Sequence, residues 1–251
     1  MKASAFEFRI RFWIFLVIYI VGFTAPWDHW LHLDGSGPNA HVWGILAALL
    51  AKTGAIGILA AFNLLLIVGI LAALTGACMR TWGSACLGPG VVHAGGMQAE
   101  GVVAAGPYRY LRNPLYVGLY LNTLALCLLM PPSGAIFVLL AVAVFQVRLI
   151  LGEEAFLTAN LGAPYTEYTA RVPRLLPAWR ARVATAPVSP RWSSALLGEI
   201  FFWGVALSYA IFGWRYNAQL LIQCVLVSFG LSLVASGFLS SGTSDSAEQS
   251  L

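Results

Sequence analysis

The feature that most limits this chain is a series of apolar stretches too long and too sparsely charged for the interior of a soluble domain. Residues 10–27, 55–78, 114–131, 134–152, 193–214 and 217–239 each form one. Each comes near the roughly 20 apolar residues that a helix needs to cross about 30 Å of hydrocarbon. Only 10% of the 251 residues are charged and 59% are hydrophobic, against about 25% charged in a typical soluble domain. The expected fold is all-α, a polytopic membrane helix bundle of about six transmembrane helices. Residues 41–54 are too short to span and are interrupted at Lys52-Thr53-Gly54, so an interfacial helix is expected there. The first stretch follows Arg9 and Arg11 as a secretory signal would. Pro26 follows Ala25, however, and no small-x-small cleavage site precedes it, so the stretch is expected to be a retained span.

Composition excludes disorder of the whole chain, collagen-like repeats, coiled coil and a secreted disulfide scaffold. The net charge of +4 reads as topology and not as nucleic-acid binding. With the N-terminus in the cytoplasm and six crossings, twelve of the 14 Lys and Arg residues fall on the cytoplasmic side, leaving only Lys52 and Arg215 opposite. This asymmetry places both termini and the polar segments 80–113 and 153–192 in the cytoplasm, and short loops suit a bacterial inner membrane. The Ser-rich, acidic residues 240–251 are expected to be disordered. Cys78, Cys86, Cys127 and Cys224 are scattered and show no metal-ligand spacing. His29-x-x-His32-x-Asp34 with His41 is the one candidate metal cluster, and it reads better as ordinary loop residues. Gly88-x-Gly90 and Gly95-Gly96 lack the strand-to-helix setting of a nucleotide loop. No metal is expected.

Pro131-Pro132-Ser133-Gly134 is a turn that can join only antiparallel neighbours, so 114–131 and 134–152 form a hairpin. The second of these helices runs on without a breaker to about Leu161. Gly162 then supplies a stop, and Pro164 starts a short helix to Val172 that Pro173 and Pro177 end. The chain divides into 1–79, with the first spans and interfacial helix; 80–178, a polar cassette enclosing the hairpin; 179–239, a linker and accessory hairpin; and the tail 240–251. Glu199 and Gln223 are the polar exceptions in the accessory hairpin.

The stretch from Gly106 to Gly118 carries the densest chemistry. Gly106-Pro107 makes a turn, Pro114 forces Asn113 out of the helical region, and Pro114 suits the first position of the helix that follows. A helix N-terminus beside Arg109 and Arg112 attracts a carboxylate or phosphate. A second group comprises Glu153-Glu154 with Tyr165, Tyr168 and Arg171. Helical spacing places Gln146, Glu153 and Glu154 near one face and the last three residues on another. Adjacent carboxylates at a membrane surface need arginine partners, which fits a structural ion-pair collar as well as a functional site.

Taken together, Gly106-Pro107-Tyr108-Arg109, Arg112-Asn113-Pro114-x-Tyr116-x-Gly118, Glu153-Glu154, Leu161-Gly162 with Tyr165-x-x-Tyr168, and Val172-Pro173-Arg174-x-x-Pro177 resemble the isoprenylcysteine carboxyl methyltransferase and phospholipid methyltransferase superfamily of integral membrane enzymes. Arg80-x-Trp82-Gly83 and Leu87-Gly88 fit its lead-in. The resemblance covers roughly 80–178, and many members have His where this chain has Asn113. It implies S-adenosylmethionine as methyl donor in a cytoplasm-facing pocket and a lipid-like acceptor, a carboxylate or an amine, arriving from the bilayer. On that reading Gly106, Pro107, Tyr108, Arg109, Arg112, Asn113, Pro114, Tyr116, Glu153, Glu154, Tyr165 and Tyr168 are the cofactor-binding candidates. Arg109 or Arg112 would hold the donor carboxylate, a tyrosine would face the sulfonium, and a glutamate would bind ribose or ammonium. Arg171 or Arg174 would orient a carboxylate acceptor, and Glu154 would take the proton of an amine. The expected partners are the lipid bilayer and the lipophilic acceptor, with no nucleic acid and no obligate protein partner.

Two other classes compete. A membrane sterol or steroid reductase using NADPH has a similar cofactor region but usually more spans before it. A scaffold or transporter would show midplane charges or paired broken helices, which the sequence lacks.

Overall fold

The computed structural model describes residues 2–24, 40–87 and 101–248, the side chains of 238–248 excepted. Every regular element in these residues is helical, and no strand occurs among them. The helices are α1 (Ala5–Arg9), α2 (Arg11–Thr24), α3 (Val42–Lys52), α4 (Ile58–Leu87), α5 (Pro114–Cys127), α6 (Pro132–Leu161), α7 (Ala163–Arg171), α8 (Trp192–Gly198), α9 (Ile200–Phe212) and α10 (Ala218–Glu248). Single 3-10 turns lie at Gly106–Arg109 and Gly213–Arg215. The candidate metal residues His29, His32 and Asp34 and the glycines from Gly88 to Gly96 lie outside the described residues.

Among the described residues, α4, α6 and Ala218–Gly237 are long and apolar enough to cross a membrane, and the bent pair α8–α9 makes a fourth if counted as one broken span. The expected count of six is not reached among these residues, and each remaining stretch falls short in its own way. α5 has 14 residues, about 21 Å of helix against roughly 30 Å of hydrocarbon, and α2 is followed as far as Thr24, where the described residues break off. α5 stops because Leu128–Met130 form a turn ahead of Pro131. The expected span 193–214 is bent by 70° between α8 and α9, at Glu199, whose carboxylate is drawn into a buried ion pair. The tail also departs from expectation, since helical backbone continues through Glu248.

Several expectations at the level of single elements hold. α6 is one unbroken helix of 30 residues. It ends at Gly162, whose φ of +61° is a conformation that glycine adopts without steric cost. α7 begins with Pro164 in its first turn. α3 is the short helix foreseen before the second span. Its first N-H groups are satisfied by the α5–α6 turn, Val42 donating to the Met130 carbonyl and Trp43 to that of Leu128, both at 2.9 Å. α1 lies just before the first apolar stretch and carries a reciprocal cap, in which Ser4 Oγ accepts from Glu7 N and Ser4 N donates to the Glu7 carboxylate.

α4 is the central post, touching α3, α5, α8 and α9, while α2 and α5 both pack on α6. The main core joins Trp43, Leu66, Leu126, Leu129, Val138, Val205, Tyr209 and Leu221 from six helices and the α5–α6 turn. A smaller cluster of Ala3, Phe8, Phe145 and Leu149 seals the N-terminal segment against α6. The α4–α5 crossing depends on two glycines. A Cβ on Gly76 would stand 2.7 Å from the Gly118 carbonyl oxygen, and one on Gly118 would stand 2.6 Å from Arg80 Cγ. Small residues permit this approach, which packing in lipid rewards through dispersion contacts. Gly76→Val should therefore destabilise the protein by about 1–3 kcal/mol, read as an earlier thermal unfolding midpoint in detergent. An unchanged midpoint would show that the helices cross elsewhere.

Candidate active site

The site grows from a stretch in which almost every backbone conformation is dictated locally. Gly106 has φ +52°, and a side chain there would run into Trp82 and Cys86 of α4. Gly106-Pro107 accordingly turns the chain into the 3-10 segment, burying Pro107 and Tyr108. Asn113 takes φ −125° and ψ 56°, outside the helical region as a following proline demands, and Pro114 opens α5. The segment after α7 then runs alongside. Arg112 N donates to the Pro173 carbonyl at 2.9 Å, Ala178 N to that of Tyr110 at 3.0 Å, and Arg182 N to that of Arg109 at 2.9 Å. Arg109 Nε adds a bond to the Val183 carbonyl at 3.1 Å.

Glu154 sits where these segments meet α6. Its Oε1 accepts from Arg112 Nη1 at 3.0 Å and from Arg174 Nε at 3.1 Å, and its Oε2 accepts from Arg174 Nη2 at 2.7 Å. Asn113 Nδ2 approaches Oε1 at 3.5 Å and donates to the Arg174 carbonyl at 3.1 Å. Asn113 is thus a buried amide that ties the α5 N-terminus to the segment after α7. The carboxylate, only 9% exposed, gains in two arginines the compensation that burial requires.

The neighbouring glutamate faces elsewhere, because successive helical residues project about 100° apart. Glu153 Oε2 accepts from Tyr116 Oη at 3.2 Å, and Gln146 one face-repeat earlier donates to the Tyr116 carbonyl at 3.1 Å. The sequence expectation of one shared face therefore holds for Gln146 and Glu153, whereas Glu154 turns toward the arginines.

Tyr165 and Tyr168 are both buried on α7 with ring centroids 5.9 Å apart, and Tyr168 Oη donates to the Tyr108 carbonyl at 2.8 Å. Burial raises the pKa of Tyr108, Tyr165 and Tyr168 above the usual phenol value, so each remains a neutral hydroxyl. Two buried polar atoms of the cluster, Tyr108 Oη and Arg112 Nε, have no hydrogen-bond partner among the described residues. Buried polar groups are nearly always satisfied, so these two donors are open to a water, an ion or a polar ligand.

The cluster thus gathers Tyr108, Arg112, Asn113, Pro114, Tyr116, Glu153, Glu154, Tyr165, Tyr168 and Arg174. Arg109 belongs to the same turn but spends its Nε on the Val183 backbone. Arg171 is exposed at the end of α7 and contributes no hydrogen bond or ion pair to the cluster, so the i, i+3 alignment with Tyr165 and Tyr168 does not carry it into the site.

Sequence reasoning left two residues out of the site, Arg80 and Glu199. Arg80 Nε and Nη2 grip the fully buried Glu199 carboxylate at 2.6 and 3.1 Å, and Arg80 Nη1 donates to the Leu115 carbonyl in the first turn of α5 at 3.2 Å. The guanidinium also lies 4.1 Å from the Phe202 ring centroid. Trp203 Nε1 adds a bond to Thr81 Oγ1 at 2.9 Å. The accessory hairpin is thereby fastened to the turn that opens the site. Lone charges within apolar stretches were the available signal, but their pairing spans 119 positions of sequence.

Removing one partner of a buried pair leaves the other uncompensated. Glu199→Ala should cost about 3–5 kcal/mol, measured by unfolding in mixed micelles. Glu7→Ala, which breaks the more exposed Arg148–Glu7 pair at 2.6 Å, should cost clearly less. Equal losses would contradict the ranking.

Comparison with known proteins gives one positive finding. No curated protein and no solved structure matches the chain. Residues 64–163 match the family model described as phospholipid methyltransferase. The match takes in α4 from residue 64 onward, the Gly106–Asn113 turn, α5 and α6, and so includes Arg80, Arg112, Glu153 and Glu154. It ends before Tyr165, Tyr168 and Arg174. Across residues 64–163, therefore, this helical membrane chain carries the pattern of the phospholipid methyltransferases, within the superfamily its motifs resemble.

Proposed function

We propose that the protein is an integral membrane methyltransferase that uses S-adenosylmethionine and acts on a lipid-like or membrane-embedded acceptor bearing a carboxylate or an amine. The observation that carries this reading is the buried Glu154 junction, where Arg112 and Arg174 converge on one carboxylate; nearby in sequence, Tyr108 Oη and Arg112 Nε are buried donors with no hydrogen-bond partner among the described residues. Their chemistry fits the donor. Arg112 and the free N-H groups of the first turn of α5 would hold its carboxylate, because helix N-termini and guanidinium forks favour anions. Tyr165 and Tyr168 offer aromatic faces to a sulfonium, an attraction of about 0.5–2 kcal/mol. Glu154 sets the position of Arg112 and offers a negative charge to the donor's ammonium group. When bound, S-adenosylmethionine supplies a methyl group activated by a positively charged sulfur.

The remaining work falls to alignment and exclusion of water, since displacement at carbon requires acceptor and methyl in line within a dry site. The two glutamates divide the labour. Glu154, with both oxygens engaged by arginine, serves to hold. Glu153, whose one hydrogen bond from a side chain among the described residues comes from the Tyr116 hydroxyl, is better placed to take a proton from an amine acceptor. A carboxylate acceptor needs no base, and Arg174 would orient it; Arg171, exposed and outside the cluster, is less suited. The Lys and Arg asymmetry supports a cytoplasmic site, and the short loops suit a bacterial inner-membrane location.

Calorimetry on the purified full chain tests the cofactor. S-adenosylhomocysteine should bind and NADPH should not. Binding of NADPH alone would transfer the protein to the reductase class. Arg112→Lys should weaken S-adenosylhomocysteine at least tenfold, because an ammonium cannot reproduce a planar fork while also holding Glu154. Glu154→Gln should weaken it too, with a smaller effect on turnover at saturating donor. Wild-type affinity in both variants would reduce the arginine–glutamate cluster to a structural collar.

A further inference from the structure

The segment after α7 is built unlike a soluble loop. Between Arg171 and Gly198 the sequence contains five arginines and no acidic residue. Within it Trp179 is fully exposed, Leu176 is 82% exposed and Leu175 is also exposed. Arg180 and Arg182 are exposed and form no ion pair among the described residues.

Position gives these facts meaning. The hydrogen bonds from Ala178 to Tyr110 and from Arg182 to Arg109 hold the segment beside the level at which α4 ends and α5 begins, that is, at a membrane face. Behind it lies a cavity of about 210 Å³, lined by Met79 and Trp82 of α4, Pro107, Tyr110 and Leu111 of the turn before α5, and Pro177 and Ala178. No charged side chain lines it. It is smaller than the roughly 300 Å³ at which sites for drug-sized molecules begin, yet it is narrow and apolar enough for part of a hydrocarbon chain. Trp82 and Tyr110 frame it with ring centroids 6.3 Å apart.

We propose that Leu175–Arg182 lies in the headgroup layer of an anionic leaflet, with one acyl chain of a bound lipid in the cavity behind Pro177 and Ala178. Tryptophan favours the boundary between headgroups and hydrocarbon. Each arginine near an anionic surface adds attraction of about fivefold in binding. Charge and apolar surface therefore converge on one occupant, an anionic phospholipid. The inference concerns a surface apart from the Glu154 cluster and does not require methyl transfer.

The full chain is reconstituted in vesicles of phosphatidylcholine alone or mixed equally with phosphatidylglycerol, with bromine on the acyl chains of one lipid at a time. The fluorescence difference between wild type and Trp179→Phe isolates Trp179, whose exposure makes the variant safe for folding. Brominated lipid should quench that difference strongly and aqueous iodide weakly, with brominated phosphatidylglycerol the better quencher. Arg180→Gln with Arg182→Gln should remove the preference for phosphatidylglycerol. Ala178→Phe, which fills the cavity, should lower the phosphatidylglycerol retained per protein in native mass spectrometry. Quenching by iodide only would place the loop in water, and shielding from both quenchers would indicate a protein contact. Equal quenching by the two lipids, or retention unchanged in Ala178→Phe, would likewise overturn the proposal.

Discussion

A single buried carboxylate organises this protein. Glu154 projects from a helix that begins 22 residues earlier, at Pro132, on the far side of the bundle, and it receives guanidiniums from two segments that are not themselves α-helical. Burial of an unpaired charge would be prohibitive, so α6, the Gly106–Asn113 turn and the segment after α7 are obliged to meet at one point. Asn113 reinforces the junction with an amide that reaches both the carboxylate and the Arg174 backbone. Nothing else among the described residues unites these three pieces as directly.

The helices around this junction supply rigidity more than chemistry. Gly76 and Gly118 let α4 and α5 approach until backbone meets backbone. Arg80, passing over Gly118, then links the first turn of α5 to Glu199 in the accessory hairpin. The hairpin lies outside the residues that match the phospholipid methyltransferase family, yet it braces the turn on which the proposed donor site depends. The bend at Glu199 follows from the same pair. A straight helix from 192 to 215 would have to leave that carboxylate without its partner or bring it there by another route.

How much of this could be read in advance depended on the range of the interaction concerned. Pro114 and Asn113, the long unbroken α6, the stop at Gly162 and the short helix after it follow from neighbours within a few residues, and all appear where the sequence places them. The membrane character follows from composition alone. What escaped was of longer range. Adjacent glutamates looked alike in sequence, but helical geometry sends Glu153 to Tyr116 and Glu154 to the arginines. Arg171 matched Tyr165 and Tyr168 in spacing, although only the tyrosines are buried. Arg80 and Glu199 were visible as isolated charges in apolar stretches, and only folding reveals that they belong to each other. The turn at Leu128–Met130 and the bend at Glu199 also lie beyond what apolar length alone reveals.

If the donor binds at the Glu154 junction, ligand and fold stabilise the same three segments. Hydrogen–deuterium exchange on the full chain, with and without S-adenosylhomocysteine, tests this directly. The account predicts added protection in 106–116 and 172–183 together, with little change in α9. Protection confined to α9 and α10, or protection of only one of the two segments, would contradict it.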